Sequence, residues 1–318
     1  MVVISRCIEF DPVRYNGDMI SSDHVAMMKP FVRFIPVCPE VEIGLGIPRS
    51  AIRIVRTGDG DRLIQPSTGD DITDPMNRFC SSFLEKLPLV DGFILKNKSP
   101  TSGISNVNIY PSAEKSAPIE KGPGFFGGMI LERYPFYPVE DEGRIRNQRI
   151  RDHFLTRIFL LADFRRVKEK GTLSALSRFH GENKLLLMAY NQSGLQELGK
   201  IVANSKKEAS SDCIDQYLSL LLQSTRFPVR YTSQINVLLH SIGYLSERLS
   251  SEEKAFFLSQ VEGYRRGHLA LSSLRIILQA WLLRDGHDAL RDQTWFAPYP
   301  DDMMILAPEE TERGREMY

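Results

Sequence analysis

The chain has 318 residues, of which 42% are hydrophobic and 25% are charged, and its 40 basic residues balance its 40 acidic ones. This composition is typical of a globular protein and excludes a disordered or fibrous chain, and the length allows two domains. A balanced charge gives the whole chain no field that would attract a polyanion. No apolar stretch approaches the roughly 20 residues that span a bilayer, so we expect no membrane partner.

The four cysteines, Cys7, Cys38, Cys80 and Cys213, are far apart and form no C-x-x-C pair. In a chain of this length they do not indicate a disulfide framework. We therefore expect a cytoplasmic protein, because thiols stay reduced in that compartment and can bind metal.

Residues 1–130 combine short β-rich runs with helical spacing, which predicts an α/β domain with a mostly parallel sheet. The runs are VVIS, FVRFIPV, IRIV and VDGFILK. The intervening segments from His24 and from Asp74 have helical spacing. Asp74 is the expected N-cap of the second helix, and Cys80 on that helix is expected to lie in the core of the domain. The segment from Thr101 to Met129 is expected to be rich in loops because Ser, Pro and Gly are frequent in it.

Three of the apolar runs each end in a loop that carries reactive side chains. Cys7 follows the first run, Cys38 and Glu40 follow the second, and Ser99 and Ser102 follow the fourth. Ligands collect beyond the carboxyl ends of parallel strands, so we expect these loops to meet at one site. Two interpretations of the cysteines stay open here: small buried core residues, or thiol ligands of a metal. The Ser99 loop is either a compact turn or a substrate loop.

From Gly143 onward the pattern is helical, beginning with a long helix that ends at Gly171, and no strand pattern interrupts it. This predicts an all-α helical bundle. We place the α/β domain at 1–165 and the all-α domain at 166–318. Basic residues outnumber acidic ones between Arg144 and Lys207, which indicates either a phosphate-contacting patch or a solvated helix face.

Three further features of the helical half bear on RNA binding. Arg178, His180 and Lys184 are expected on one helix face, and Trp295 and Phe296 are of the type that stacks on bases. A further histidine, His240, is expected to be a core residue.

Several motifs resemble, in order and spacing, the thiouracil desulfidase family of iron–sulfur enzymes. They are RCIEFDPVRYNG, PVCPEVEIGLGIPR, IQPSTGDDIT, ILKNKSPTSG and GPGFFGG. The helical half is similar to the all-α domain fused to this family in the tRNA 4-thiouridine desulfidases, through FHGENKLLLMAYNQ, INVLLHSIGYL, EGYRRGHLAL and FAPYPDDMMI. The resemblance spans nearly the whole chain.

The resemblance implies a 4Fe–4S cluster held by three cysteines, with one iron open to the sulfur of a thiobase. Cys7 and Cys38 match two ligand positions, and Ser102 stands where the family has the third cysteine. Glu40 matches a carboxylate that works in proton transfer, and Ser99 matches a serine at the substrate. The implied reaction converts 4-thiouridine in tRNA to uridine, with thiolated tRNA as partner.

Ser102 leaves three alternatives open, because an alkoxide is a harder and more basic ligand than a thiolate. The chain is an ordinary member carrying a Cys→Ser change, an enzyme with a labile or oxygen-ligated cluster, or a catalytically impaired relative that retains RNA binding. A desulfidase of free thiobases such as thiouracil is a further alternative to the tRNA enzyme. Oligomeric state is not decided by the sequence.

Overall fold

The computed structural model describes residues 1–204, 210–285 and 288–304. The described chain divides into two compact units, one formed by Met1–Ile158 with residues 300–304 and the other by Phe159–Tyr299. The division falls within one long helix. The domain boundary at 165/166 stays a prediction.

The first unit contains a parallel four-stranded sheet in the order β2-β1-β6-β9. Its strands are β1 (Val2–Ser5), β2 (Phe34–Val37), β6 (Gly92–Leu95) and β9 (Val139–Asp141). The two central strands are entirely buried, which explains why their sequences are continuous apolar runs without alternation. The parallel register of β1 with β2 sets the end of β1 beside the end of β2, so the loops that carry Cys7 and Cys38 start from neighbouring points.

A second sheet of five strands, in the order β5-β4-β3-β7-β8, was not predicted. Its strands are β3 (Arg53–Thr57), β4 (Gly60–Gln65), β5 (Asp70–Asp71), β7 (Val107–Tyr110) and β8 (Glu120–Gly122). Only β3 and β7 pair in parallel; the other pairings are antiparallel. The parallel prediction therefore holds for the first sheet alone. The expected loop from Thr101 to Met129 contains β7, β8 and the start of a helix, because strands of three or four residues are too short to leave a periodic pattern.

The helices of the first unit cover and connect these sheets. They are α1 (Asp23–Met28), α2 (Pro39–Glu42), α3 (Thr73–Lys86), α4 (Phe125–Arg133) and the first part of α5 (Gln148–Lys170). The prediction of Asp74 as N-cap is wrong, because α3 begins at Thr73 and Asp71 accepts the Thr73 N–H at 2.9 Å. Cys80 is fully buried in the core beside Met76 and Leu84, as expected.

The second unit is helical throughout its described residues, which confirms the all-α prediction. Its helices are the remainder of α5, α6 (Leu173–Glu182), α7 (Lys184–Tyr190), α8 (Gln192–Asn204), α9 (Ser210–Ser224), α10 (Tyr231–Leu245), α11 (Ser251–Arg265), α12 (Leu271–Asp285) and α13 (Asp288–Arg291). Gly171 ends α5 with φ +62°, a left-handed conformation that glycine adopts without strain. Its core is apolar, with Leu221, Leu238 and Leu278 fully buried.

Burial corrects three expectations about the second unit. Trp295 and Phe296 are buried, so neither is offered to a base; the indole of Trp295 donates to Gln234 at 2.7 Å. His240 is exposed and is not a core residue, because it lies on the outer face of α10. Lys184 begins α7, two residues after α6 ends at Glu182, so it does not share a helix face with Arg178 and His180.

Candidate active site

The three strand-end loops meet at a cavity of about 750 Å³ in the first unit. Its lining includes every site residue expected from the sequence, namely Cys7, Cys38, Glu40, Ser99 and Ser102. The parallel register of β2, β1 and β6 accounts for this convergence, because it brings the carboxyl ends of the three strands to one edge. The Ser5 hydroxyl at the end of β1 accepts the Lys96 N–H at the end of β6 at 2.8 Å and joins the first and third loops.

Cys7 and Cys38 are both buried, each with 8% of its surface exposed. Burial, followed by the neighbouring Cys38 thiol, raises the pKa of Cys7 to about 12. Burial and the Glu40 carboxylate raise the pKa of Cys38 as well. The two thiols therefore lie close enough to interact electrostatically.

Glu40 lies on the first turn of α2, two residues after Cys38, and is held on both oxygens. Its Oε2 is bound by Arg49, whose Nε donates at 2.9 Å and whose Nη2 also donates to it. Its Oε1 accepts the Thr101 hydroxyl at 2.8 Å, and the Ser99 hydroxyl lies 3.4 Å away. The Arg49 side chain is only 4% exposed and the Glu40 side chain 13%, so this ion pair is sheltered from water.

The loop from Ser99 to Gly103 is clamped against the start of α4. The amides of Gly124, Phe125 and Gly127 donate to carbonyls of the loop at 2.7–3.1 Å. The approach is so close that a Cβ at Gly127 would lie 2.2 Å from the Gly103 carbonyl oxygen. Gly124 and Gly127 of GPGFFGG are thus required for backbone contact, and they hold the loop that carries the hydroxyls of Ser99 and Thr101 in place.

A second ion pair lies behind the same loop, where Lys96 binds Glu142 and the Asn97 N–H donates to Glu142 Oε2 at 2.8 Å. The charge of Lys96 offsets part of the rise that burial and Cys38 cause in the pKa of Cys7. The cavity as a whole is cationic, since its only acidic lining residue is Glu40 and seven lining residues are basic. These are Arg6, Arg14, Arg49, Arg53, Lys96, Lys98 and Lys121.

The donor set fits an iron–sulfur cluster at two of its three protein ligands. Cys7 and Cys38 are neighbouring buried thiols on rigid loops, and buried thiols that interact are the arrangement that a bound cation stabilises as thiolates. Ser102 lines the same cavity and is buried, but it supplies a hard oxygen donor. Among the described residues, no group of three His, Cys, Asp or Glu side chains could hold a metal ion. The roles of the five predicted site residues stay predictions.

Sequence reasoning missed Arg49, Thr101 and the GPGFFGG clamp as parts of this site. Arg49 ends a segment in which glycines were the visible signal, and a lone arginine carries no motif. Thr101 was quoted only as part of a loop sequence. The GPGFFGG motif was used only for the family resemblance, and its contact with the Ser99 loop could be found only in three dimensions.

The basic stretch in the second unit is mostly neutralised by its own acidic neighbours. Arg165 pairs with Glu169, Arg166 with Asp163, Lys168 with Asp215, Arg178 with Glu182, and Lys200 with Glu197. Five earlier basic residues belong to the first unit, where two of them are buried: Arg144, Arg146, Arg149 and the buried Arg151 and Arg157. Lys206 and Lys207 lie outside the described residues. The interpretation as a solvated, internally paired helix surface thus accounts for most of the stretch.

Two family models match the chain and correspond to its two halves. Residues 2–142 match the 2-thiouracil desulfurase family, and residues 184–300 match a family described as a protein of unknown function, DUF1722. The N-terminal half thus matches the model of a 2-thiouracil desulfurase domain and is followed by a DUF1722 region, in agreement with the resemblance found in the sequence.

Similar proteins and a similar solved structure align with parts of the chain. Uncharacterized protein YbgA of Escherichia coli (strain K12) is 29% identical over 155 residues, 48% of this chain and 92% of that protein. Uncharacterized protein YbbK of Bacillus subtilis (strain 168) is 26% identical over 110 residues, 32% of this chain and 73% of that protein. A solved structure of TudS, described as a 4Fe–4S-dependent thiouracil desulfidase, is 24% identical, covers 46% of this chain and 92% of its own, and has a TM-score of 0.37.

No described helix has both the length and the apolar character needed to cross a membrane.

Proposed function

We propose that the first unit is a desulfidase that exchanges the sulfur of a thiobase for oxygen, with 4-thiouridine in tRNA as its substrate. The observation that carries this is the convergence of Cys7, Cys38, Glu40, Ser99 and Ser102 on one cavity, within a domain of the 2-thiouracil desulfurase family. The overall reaction balances as C=S plus H₂O giving C=O plus H₂S, and it requires no oxidant or reductant.

Cys7, Cys38 and Ser102 would hold the 4Fe–4S cluster that the resemblance implies. When bound, such a cluster supplies an iron with an open position for a soft sulfur donor. The remaining work falls to the residues of the chain. Glu40, oriented by Arg49, is the proton-transferring carboxylate, and Ser99 is the serine that lies beside the substrate base in the cavity lining.

The charge of the cavity supports a phosphate-bearing substrate over a free base. Four of the seven basic lining residues pair with carboxylates. The other three, Arg53, Lys98 and Lys121, have no carboxylate partner among the described residues and give the cavity a net positive charge. Such a cavity attracts anions. Tyr110 stacks with Arg53, whose guanidinium lies 4.5 Å from the ring centre, and this pair forms a flat cationic surface in the lining.

The free thiobase is the second candidate, and it is favoured by the ion pairing of the second unit. Because most basic side chains from Arg165 to Lys200 have acidic partners, that unit offers few free charges to a tRNA backbone. If this candidate is correct, the chain converts thiouracil and shows no salt-dependent shift of thiolated tRNA in a gel.

The test is iron and sulfide content after anaerobic purification, for the chain and for Ser102→Cys, followed by turnover of 4-thiouridine in tRNA and of thiouracil. The proposal expects bound iron and loss of the thiocarbonyl absorbance, with both larger in Ser102→Cys. A catalytically impaired relative would bind tRNA with a steep salt dependence but would carry no cluster. Absence of turnover by both proteins after reconstitution would refute the proposed enzyme.

A further inference from the structure

We propose that Thr101 is a positioning residue that joins Ser99 and Glu40 into one directed hydrogen-bond chain. Thr101 is 1% exposed and lies between the two residues to which sequence assigns chemistry. Its hydroxyl is 2.8 Å from Glu40 Oε1 and 2.9 Å from Ser99 Oγ. The inference rests on the proposed function, because it assigns to Thr101 the coupling of the two groups that act there.

The direction of the chain follows from counting donors and acceptors. Ser99 Oγ accepts the backbone N–H of Thr101 at 3.2 Å and that of Ser102 at 3.1 Å. A hydroxyl has two acceptor positions and one proton, so both acceptor positions of Ser99 are filled and its proton must be donated.

That proton has two possible acceptors, Thr101 Oγ1 at 2.9 Å and Glu40 Oε1 at 3.4 Å. The first distance is near the ordinary range for O–H···O bonds and the second is well beyond it. A carboxylate can only accept, so the Thr101 proton faces Glu40 and its oxygen is free to accept from Ser99. The chain therefore runs from Ser99 to Thr101 to Glu40.

Both ends of the chain are held in place. At the carboxylate end, Arg49 engages Glu40 Oε2 and also donates to the Val13 carbonyl at 3.0 Å and the Gly46 carbonyl at 3.3 Å, so it cannot follow a moving carboxylate. At the hydroxyl end, the Gly127 N–H donates to the Thr101 carbonyl at 3.0 Å and locks the backbone of the loop. Only Oε1 of Glu40 is left to respond to Ser99, and it does so through Thr101.

The matched substitutions are Thr101→Val, which keeps the shape and removes the hydroxyl, and Thr101→Ser, which restores the hydroxyl. Turnover is measured with 4-thiouridine in tRNA and with thiouracil, using the reconstituted chain and the Ser102→Cys protein. Thr101→Val is expected to lower kcat about 10- to 100-fold, the effect of losing a hydrogen bond to a charged group, and to change KM by less than about threefold. Thr101→Ser is expected to recover most of kcat.

A second measurement needs no cofactor and separates this inference from the proposed function. Glu40→Gln and Ser99→Ala are combined in a double-mutant cycle of unfolding free energies, with the cycle repeated in Thr101→Val and Thr101→Ser. The two substitutions are expected to be non-additive with Thr or Ser at position 101 and additive with Val. Thr225→Val, which removes a buried hydroxyl bonded to the Leu221 carbonyl at 2.8 Å, is the control and should leave the cycle non-additive.

The outcomes divide clearly. A cycle that stays equally non-additive in Thr101→Val, or a kcat that is unchanged by it, would overturn the role of Thr101. A cycle that behaves as expected in a protein without turnover in either background would retain the hydrogen-bond chain and reject the enzyme. A loss of kcat that Thr101→Ser does not recover would show that shape, and not the hydroxyl, is what position 101 supplies, and it too overturns the proposal.

Discussion

The two units of this chain are stabilised in different ways. The first places polar groups in its interior: Thr101, Ser102, Asp141 and Glu142 are all buried. The second buries neutral polar groups such as Asn183 and Ser241 but, among its described residues, no Asp, Glu, Lys or Arg, and its charges lie in surface ion pairs. Buried polar groups are costly unless every one is satisfied, and they are then geometrically demanding. The first unit therefore buries charged and polar groups around its candidate site at a cost in folding free energy. The second unit is stabilised mainly by packing of apolar side chains.

The largest expected effect is the loss of unfolding free energy caused by a cavity in the core of the second unit. Leu238→Ala removes a fully buried side chain from α10 and should lower the free energy of unfolding by about 2–5 kcal/mol. Leu239→Ala, at the adjacent position and 42% exposed, should change it by less than about 0.5 kcal/mol. Chemical denaturation of both variants measures the difference. Equal effects would contradict an apolar core as the source of stability here.

The next effect comes from the sheltered ion pair of the first unit. Arg49→Met leaves Glu40 without its partner and should cost about 2–4 kcal/mol, because an uncompensated carboxylate then lies in a site of low solvent access. Arg56→Met removes exposed pairs with Asp61 and Glu120, and it should cost clearly less because both pairs are screened by water. If denaturation gives the same cost for both, the Glu40–Arg49 pair contributes no more than a surface pair.

A smaller effect is expected where α4 meets the Ser99 loop. Gly127→Ala adds a Cβ that would overlap the Gly103 carbonyl oxygen, and the strain should destabilise the protein by about 1–3 kcal/mol. Gly128→Ala meets nothing closer than 3.5 Å and should stabilise the same helix by up to about 1 kcal/mol. Thermal unfolding distinguishes the two signs. A stabilising Gly127→Ala would mean that the loop is not clamped.

The smallest effect is a pH dependence in the second unit. Burial, followed by the charge of Lys184, lowers the pKa of His180 from its ordinary 6.5, and its Nδ1 lies 3.0 Å from the Tyr217 hydroxyl. At a pH between the folded and the unfolded pKa, the unfolded chain binds a proton at this histidine and the folded chain does not. The free energy of unfolding therefore falls as the pH drops below about 6.5 toward the folded pKa. His180→Gln should flatten the unfolding free energy over that window. His240→Gln, at an exposed position of α10, is the control and should leave it unchanged.

The sequence predicted those parts of the candidate site that directly follow parallel strands. Each of Cys7, Cys38 and Ser99 follows an apolar run, and parallel strands bring such positions to one edge whatever the rest of the chain does. Arg49 and Thr101 could not be predicted, because their roles depend on contacts with Glu40 across 9 and 61 residues. The same reason hid the second sheet, whose β3 pairs with β7 over fifty residues away.

The sequence by itself determined the order of an α/β half and a helical half, the core position of Cys80, and the residues that meet at the cavity. These follow from local periodicity and from the geometry of parallel strands, which act over short stretches of chain. Only the tertiary structure decided that Trp295 is buried, that His240 is exposed, and that the basic helices carry their own counter-ions. Burial and pairing are properties of two distant segments brought together, and neither segment specifies them alone.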